Sequence, residues 1–465
     1  MTIDYVKHHA DRSSADRRLP VAVIGAGPVG LAAAARLVEL GAVPLVLEAG
    51  TTAGTTIRNW QHVRLFSAWH RNVDPVAARL LDAGGWRTPA PGDRPTGAEL
   101  IEDYLLPLAR SPQLAPWIRY GCQVIGIGRL GLDRTRGAGR ATTPFVLRLA
   151  DGTEHLARAV IDTTGTWDTP NRLGGDGLPA IGEPAAADRL DFSLPDVLGT
   201  DRDAHAGRHT VVVGAGHSAA NTLLALVELA RRHPGTRVTW AVRRAGTDPV
   251  LPRGVGDVLP ARAAAGTDLP RFIAAGLITL ARGFVTHRVE TVGDRRPAHD
   301  PRVRPAHDPQ VRLVARDGRT IDADRVVVAT GFRAEHRIAA ELRLDLDPVL
   351  GTSRGLATLI DPERPRLPWS GPPPHGVAEL SHPEPDYFVA GVKSYGRASA
   401  FLLATGYRQV EAITLHLARH GRGGTVHRRW STGRWTGPLP ITGHPADSIT
   451  GHRADSRASG SVSRR

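Results

Sequence analysis

The feature that most constrains this chain is a strand, a glycine turn and a helix in direct succession, and it occurs twice. The first copy runs VAVIG, AGPVGLAAAARLVELG and then the strand-like PLVLEAG; the second runs TVVVGAG, SAANTLLALVELARRH and RVTWAVRR. Short apolar runs that end at glycine read as strands buried on both faces, and the longer runs between them carry a helical period. A strand, helix and strand in this order close as a parallel pair with the helix packed across it. Two such units, far apart in one chain, predict an α/β protein with two Rossmann-like doubly wound parallel sheets, each able to hold its own nucleotide.

In the first unit Gly25, Gly27 and Gly30 fill the glycine positions of G-x-G-x-x-G, with Pro28 inside the turn. The first glycine permits the tight turn, the second lets backbone approach a pyrophosphate, and the third lets helix and strand pack closely. The helix N-terminus adds free N–H groups and a partial positive charge. Glu48 closes the next strand, where a carboxylate can accept hydrogen bonds from ribose hydroxyls and disfavours a 2′-phosphate. The second unit has Gly214, Gly216 and, in third place, Ala219. Ser218 is a candidate phosphate partner there, and His217 is either a neighbour of the nicotinamide or a packing residue. The partner strand ends in Arg243 and Arg244, and guanidinium groups at that place suit a 2′-phosphate, so NADPH is expected over NADH. The competing reading is a general arginine excess, since lysine occurs only at Lys7 and Lys393 among 59 basic residues.

Two further apolar runs, ARAVIDTTG ending at Gly165 and DRVVVATG ending at Gly331, read as the places where the chain crosses between domains. The first domain is then discontinuous, residues 19–166 and 332–420, with the second, 167–331, inserted in it. Residues 1–18 and 421–465 are polar and aperiodic and are expected to be disordered, the latter as a basic tail. Part of the formal charge of +13 lies in that tail and the rest follows the arginine bias, so no nucleic-acid partner is expected. Cys122 is the only cysteine, which excludes an intramolecular disulfide and a cysteine-rich zinc site. A tandem octapeptide at 296–311 sets His299 and His307 beside Asp300 and Asp308, but it reads as a duplicated surface loop and no metal is expected. There is no apolar leader and no membrane-spanning stretch, so a cytoplasmic protein with no membrane contact is expected.

These residues resemble flavoproteins with two dinucleotide-binding domains, in particular class B flavin monooxygenases and the related flavoproteins of the metal- and arsenic-resistance type. The resemblance covers about residues 20–417 and rests on AVIGAGPVGLAAAARLVELG, LVLEAG, the stretch from Trp60 to Arg64, TGTWDTP at 164–170, VVVGAGHSAAN, the ATG turn at 329–331, and DYFVAGVKSYGRASAFLLATGYRQV. It implies FAD on the first turn, a nicotinamide cofactor on the second, and Trp60, Arg64, Gly165, Gly331 and Gly391 as further cofactor contacts. It also implies that a helix starting near Ala398 points its N-terminus at the flavin. Three departures bear on function. Many relatives carry Gly-Asp where this chain has Gly391-Val392; the F-x-G-x-x-x-H-x-x-x-W/P fingerprint of Baeyer–Villiger enzymes is missing; and the two cysteines of thioredoxin-reductase-like enzymes are absent.

The activity implied is a monooxygenase: NADPH reduces FAD, oxygen adds to the reduced ring, and a small soft nucleophile carrying sulfur, nitrogen or a metalloid takes one oxygen atom. Asn72, Lys393, Tyr395 and Arg397 are candidate polar groups near the ring, and His70 and Arg71 lie either there or in a solvated loop. An NADPH:acceptor reductase or oxidase and a nucleotide-binding redox regulator are the alternatives. Small-molecule substrate and oxygen are the partners expected, and the oligomeric state is open, a homodimer included.

Overall fold

A computed structural model describes residues 19–246, 259–292, 310–361, 374–398 and 401–420, with backbone only at 260–263 and His420. The two ends expected to be disordered, and nearly all of the 296–311 repeat, lie outside the described residues.

The first sheet has the strand order Tyr387–Val389, Ala159–Asp162, Val21–Ile24, Pro44–Leu47, Ile118–Arg119, and every pairing in it is parallel. The second has the order Thr279–Arg282, Arg237–Val242, His209–Val213, Arg325–Val328, Leu190–Asp191, again all parallel. Residues between the last two strands of the first sheet, counted along the chain, build the second sheet. Two antiparallel three-stranded sheets accompany them, Val124–Arg129 with Phe145–Leu149 and Glu154–Ala157, and Thr286–Thr291 with Val311–Ala315 and Thr320–Ala323.

Both faces of the central strands are covered, which is why Val21, Ala22, Val23 and Ile24 are all apolar and all buried. The helix Pro28–Glu39 opens with Pro28 in its first turn, where the missing N–H costs nothing. Ala32 to Ala35 have no exposed surface, and such small side chains let this helix lie close to the sheet and to the final helix, Leu403–His420. Its Arg36 is buried against Asp74 at 2.8 Å, and the other oxygen of Asp74 caps the helix Pro75–Asp82.

The final helix begins later than the sequence pattern predicts. Val392–Tyr395 form a short 3-10 turn, Gly396 takes a left-handed φ of 55°, and the N–H groups of Arg397 and Ala398 donate to the carbonyls of Leu350 and Tyr395. The left-handed residue breaks the helical path, so the α-helix starts at Leu403 rather than near Ala398. Among the described residues no helix is long and apolar enough to cross a membrane.

Elsewhere Glu384 is held between two buried guanidiniums, 2.8 Å from Arg129 and 2.7 Å from Arg140. This triad ties the first antiparallel sheet to the returning C-terminal segment across more than 240 residues of chain.

Candidate functional site

Three turns meet at the carboxyl ends of the central strands of the first sheet, where doubly wound sheets bind ligands. They are Gly25 to Gly30, Thr163 to Gly165, and Gly391 to Gly396. The Thr163 N–H and hydroxyl both donate to the Ile24 carbonyl, at 3.0 and 2.7 Å, which seats the second turn on the first. A side chain built at Gly391 would lie 3.5 Å from Val29, which seats the third turn on the first helix.

The glycines of the first turn have separate duties. Gly30 has no room: an added Cβ would lie 2.7 Å from the Thr163 hydroxyl and closer still to the Gly25 carbonyl oxygen. A Cβ at Gly27 would meet nothing within 4 Å, so the backbone there faces open space in front of the helix N-terminus. The first-turn N–H groups behind it have no intrahelical acceptor. Glu48 is fastened to the same turn, accepting from the Ala26 N–H at 2.6 Å and the Gly50 N–H at 2.8 Å. Each of its oxygens keeps a lone pair for a ribose hydroxyl. Open backbone, free amides and a held carboxylate together fit the adenosine diphosphate half of FAD. Trp60 is half-buried against the first core, while the exposed Arg64 binds the Arg94 carbonyl and lies 3.4 Å from Glu99.

The second turn repeats the arrangement. Gly214 takes φ +137°, and a Cβ there would overlap the Ala329 carbonyl as one at Gly25 would crowd Thr163. In both units the residue crowded shortly precedes a Thr-Gly turn, and Gly165 and Gly331 both have positive φ. The two crossing segments are zipped together: the Asn171 N–H donates to Gly331 at 2.8 Å, its side chain to Thr330 at 2.9 Å, and Trp167 stacks on Phe332 at 4.9 Å. Trp240 donates to the Gly214 carbonyl from beneath at 2.7 Å. Gly216 precedes the helix His217–Arg232, in which Ser218 is half-buried and Ala219 fully buried. The His217 ring lies 5.3 Å from that of Phe66, a contact from the first domain that the sequence pattern does not announce. Arg243 and Arg244 follow the strand Arg237–Val242 and are exposed; the Arg243 guanidinium donates to the Gly175 carbonyl at 3.0 Å.

The candidate polar groups fare differently. Asn72 has no exposed surface; its side chain is taken up by the Ser67 hydroxyl and carbonyl at 2.7 and 2.9 Å. Tyr395 is also fully buried, edge-on to Phe401 at 5.4 Å. As they stand, neither side chain presents surface to a ligand, although the sequence pattern offers both as polar groups near the reacting ring. Lys393 is buried as well, its Nζ 2.7 Å from Asp162 and 3.0 Å from the Thr164 hydroxyl. Of the four, only Arg397 presents an exposed side chain. His70 is exposed with its Nδ1 2.8 Å from the Pro91 carbonyl, and Arg71 is half-buried.

Asp162 is the functional-looking residue that the sequence reading passed over, although an acid closing the apolar run AVID was its signal. Burial pushes its carboxyl up, but the Lys393 ammonium and the Thr164 hydrogen bonds outweigh this and hold it below the usual carboxylate value. Tyr387 donates to the same carboxylate at 3.1 Å, and burial beside that charge drives its phenol well above 10. Lys393 also lines a cavity of about 10 Å³, room for about one water, together with His336, Thr352 and Ser394.

Residues 23–84 match the model of the NAD(P)-binding Rossmann-like domain, a span that includes the first glycine turn and Glu48. No curated protein matches the chain in sequence. Among solved structures, a bacillithiol disulfide reductase from Bacillus cereus superposes with a TM-score of 0.60 at 18% identity, covering 86% of this chain and 99% of that one. A flavin monooxygenase from Stenotrophomonas maltophilia, solved as a double mutant, gives 0.55 at 21% identity over 86% and 98%. The cadaverine monooxygenase of desferrioxamine biosynthesis from Erwinia amylovora, solved with FAD, gives 0.56 at 13% identity over 91% and 99%. The chain has the fold of these oxidoreductases. At such identities the likeness speaks for the fold alone.

Proposed function

We propose that this chain is an FAD- and NADPH-dependent oxidoreductase, and within that class a monooxygenase acting on a small soft nucleophile carrying sulfur, nitrogen or a metalloid. The observation that carries the reading is the duplicated cradle, in which Gly25 against Thr163 is matched by Gly214 against Ala329. Bound FAD supplies two-electron exchange with the nicotinamide and the reaction with oxygen. The chain supplies position. The amides at Gly27 and the following helix N-terminus receive the FAD pyrophosphate, and Glu48 receives the ribose. Thr164, exposed in the first crossing turn, would line the flavin side together with the Gly391 turn. Gly216, Ser218 and the helix His217–Arg232 receive the NADPH pyrophosphate, and Arg244 its 2′-phosphate. Use of NADPH also suits a cytoplasmic enzyme.

The printed activities of two of the fold neighbours suggest oxygen transfer, and the state of the one thiol argues against thiol chemistry in its place. Cys122 is half-buried, and burial and the Asp151 charge push its thiol up, which disfavours the nucleophilic thiolate. The second reading, an NADPH:acceptor reductase, draws on the likeness to the bacillithiol disulfide reductase. The FAD-loaded protein, NADPH and ¹⁸O₂ are incubated with a panel of thioethers, amines, arsenite and low-molecular-weight disulfides. One labelled oxygen in a product for each NADPH consumed supports the monooxygenase. Peroxide matching NADPH in every case, or disulfide reduction without oxygen uptake, moves the assignment to the oxidase or reductase.

A further inference from the structure

We infer that the buried Asp162–Lys393 pair, closed by the Thr164 hydroxyl, is a positioning device that locks the turn Thr163 to Gly165 onto the turn Gly391 to Gly396, and so sets the width of the pocket that receives the flavin. The inference rests on the FAD reading above and deepens it.

The three residues form a closed ring. Asp162 Oδ1 accepts the Thr164 N–H at 3.1 Å and its hydroxyl at 2.8 Å, and Oδ2 accepts Lys393 Nζ at 2.7 Å. Lys393 Nζ in turn donates to the Thr164 hydroxyl at 3.0 Å, so that one hydroxyl both donates and accepts. The side chains of Asp162 and Lys393 are 0% and 3% exposed. Burying two charges is costly, and well-packed apolar residues serve stability as well or better, so such a pair is poor evidence for stability as its purpose. What a fully satisfied ring does provide is fixed geometry.

The ring also joins particular elements. Thr164 follows Thr163, which packs on Gly25 and Gly30 of the first turn. Lys393 follows Gly391, whose N–H is held by Gln409 at 2.9 Å and whose backbone faces Val29. Both walls thus stand on the first glycine turn, and the ring is the strut between them. Thr164 alone of the three is exposed. The buried triad of Arg129, Glu384 and Arg140 has no exposed member, and its hydrogen bonds run to Asp133, Thr143, Glu341, Arg343 and Pro385 rather than to the three turns, so a comparable charge cluster elsewhere lacks this relation. Lys393 is a positioning residue rather than a catalytic base.

The test uses the full chain stripped of FAD and reconstituted, with the FAD Kd by calorimetry, the flavin midpoint potential and the Tm measured for each variant. Thr164→Val replaces the hydroxyl by a methyl group and should weaken FAD about fivefold, shift the potential and lower Tm by a few degrees, since two hydrogen bonds of the ring are lost; Thr164→Ser should restore wild-type values. Asp162→Asn and Lys393→Gln should each weaken FAD by about tenfold or more, and the double variant should recover part of the loss. If either single variant fails to fold, the two Thr164 variants decide. Thr164→Val binding FAD within twofold of wild type, or Thr164→Ser binding as weakly as Thr164→Val, overturns the inference. Failure of the wild-type chain to bind FAD overturns the function reading instead.

Discussion

Gly30→Ala tests whether the third glycine of the first turn is there for close packing rather than for backbone freedom. Gly30 is helical, so alanine imposes no conformational strain, and the whole effect must come from the added carbon. That carbon would lie 2.7 Å from the Thr163 hydroxyl and nearer still to the Gly25 carbonyl. Relaxed contacts need about 3.5 Å, so relief of the tighter clash, at the Gly25 carbonyl, requires helix and strand to separate by roughly 1.5 Å. The helix cannot simply tilt, because Leu31, Ala32, Ala33, Ala34, Ala35 and Leu37 have no exposed surface and are packed on all sides. Overpacking of this kind costs about 1–3 kcal/mol, which is roughly 2–4 °C of Tm per kcal/mol for a domain of this size. The same displacement moves the first-turn amides, so the FAD Kd should rise about tenfold or more. Ala219→Gly, at the matching place in the second turn, should cost only about 1 kcal/mol and leave FAD affinity unchanged. Melting followed by circular dichroism and FAD titration read by flavin fluorescence check both variants. Gly30→Ala with wild-type Tm and FAD affinity would refute the packing argument, and equal loss of FAD in Ala219→Gly would refute its locality.

Arg244→Ala should reduce the NADPH over NADH preference in kcat/KM by about tenfold, with a smaller effect for Arg243→Ala because its guanidinium is engaged with Gly175; an unchanged ratio removes these arginines from 2′-phosphate recognition. Glu384→Gln leaves Arg129 and Arg140 buried without their shared carboxylate and should cost about 3 kcal/mol or more in urea unfolding. Burial raises the Glu384 carboxyl, but Arg140 and Arg129 outweigh it and hold it low, so its stabilisation is present above the ordinary carboxylate value and is lost as pH falls through the folded one. The acid limb of the stability curve should therefore flatten in Glu384→Gln. Burial pushes His205 and His382 each down to about 4. The unfolded chain takes up those protons near pH 6.5, so stability is full above that and declines as pH falls toward 4. Tm measured from pH 7 to pH 5 should fall, and less steeply in His205→Gln; a flat wild-type profile would contradict this.

The two glycine turns were legible because each depends on neighbours in sequence: an apolar strand buried on both faces, a glycine, and a helix opened by residues one turn long. Glu48 at the end of its strand belongs to the same local grammar. The late start of the final helix was not legible, because it follows from Gly396 lying against Leu350, which comes from another part of the chain. Asn72 and Tyr395 looked like site residues for a related reason: polarity is written in sequence, but the side of the wall on which a polar group ends up is not.

The sequence by itself determined that this chain makes two parallel sheets with a nucleotide turn on each, since strand and helix periods and the need of a close turn for glycine are properties of adjacent residues. The tertiary structure alone decided that Asp162 meets Lys393 across 231 residues, that Phe66 reaches His217, and that Glu384 sits between two arginines. Those pairings arise when separate elements pack, and burial then makes an unpaired charge too costly to keep, so the partner of each is chosen by the fold rather than by the local pattern.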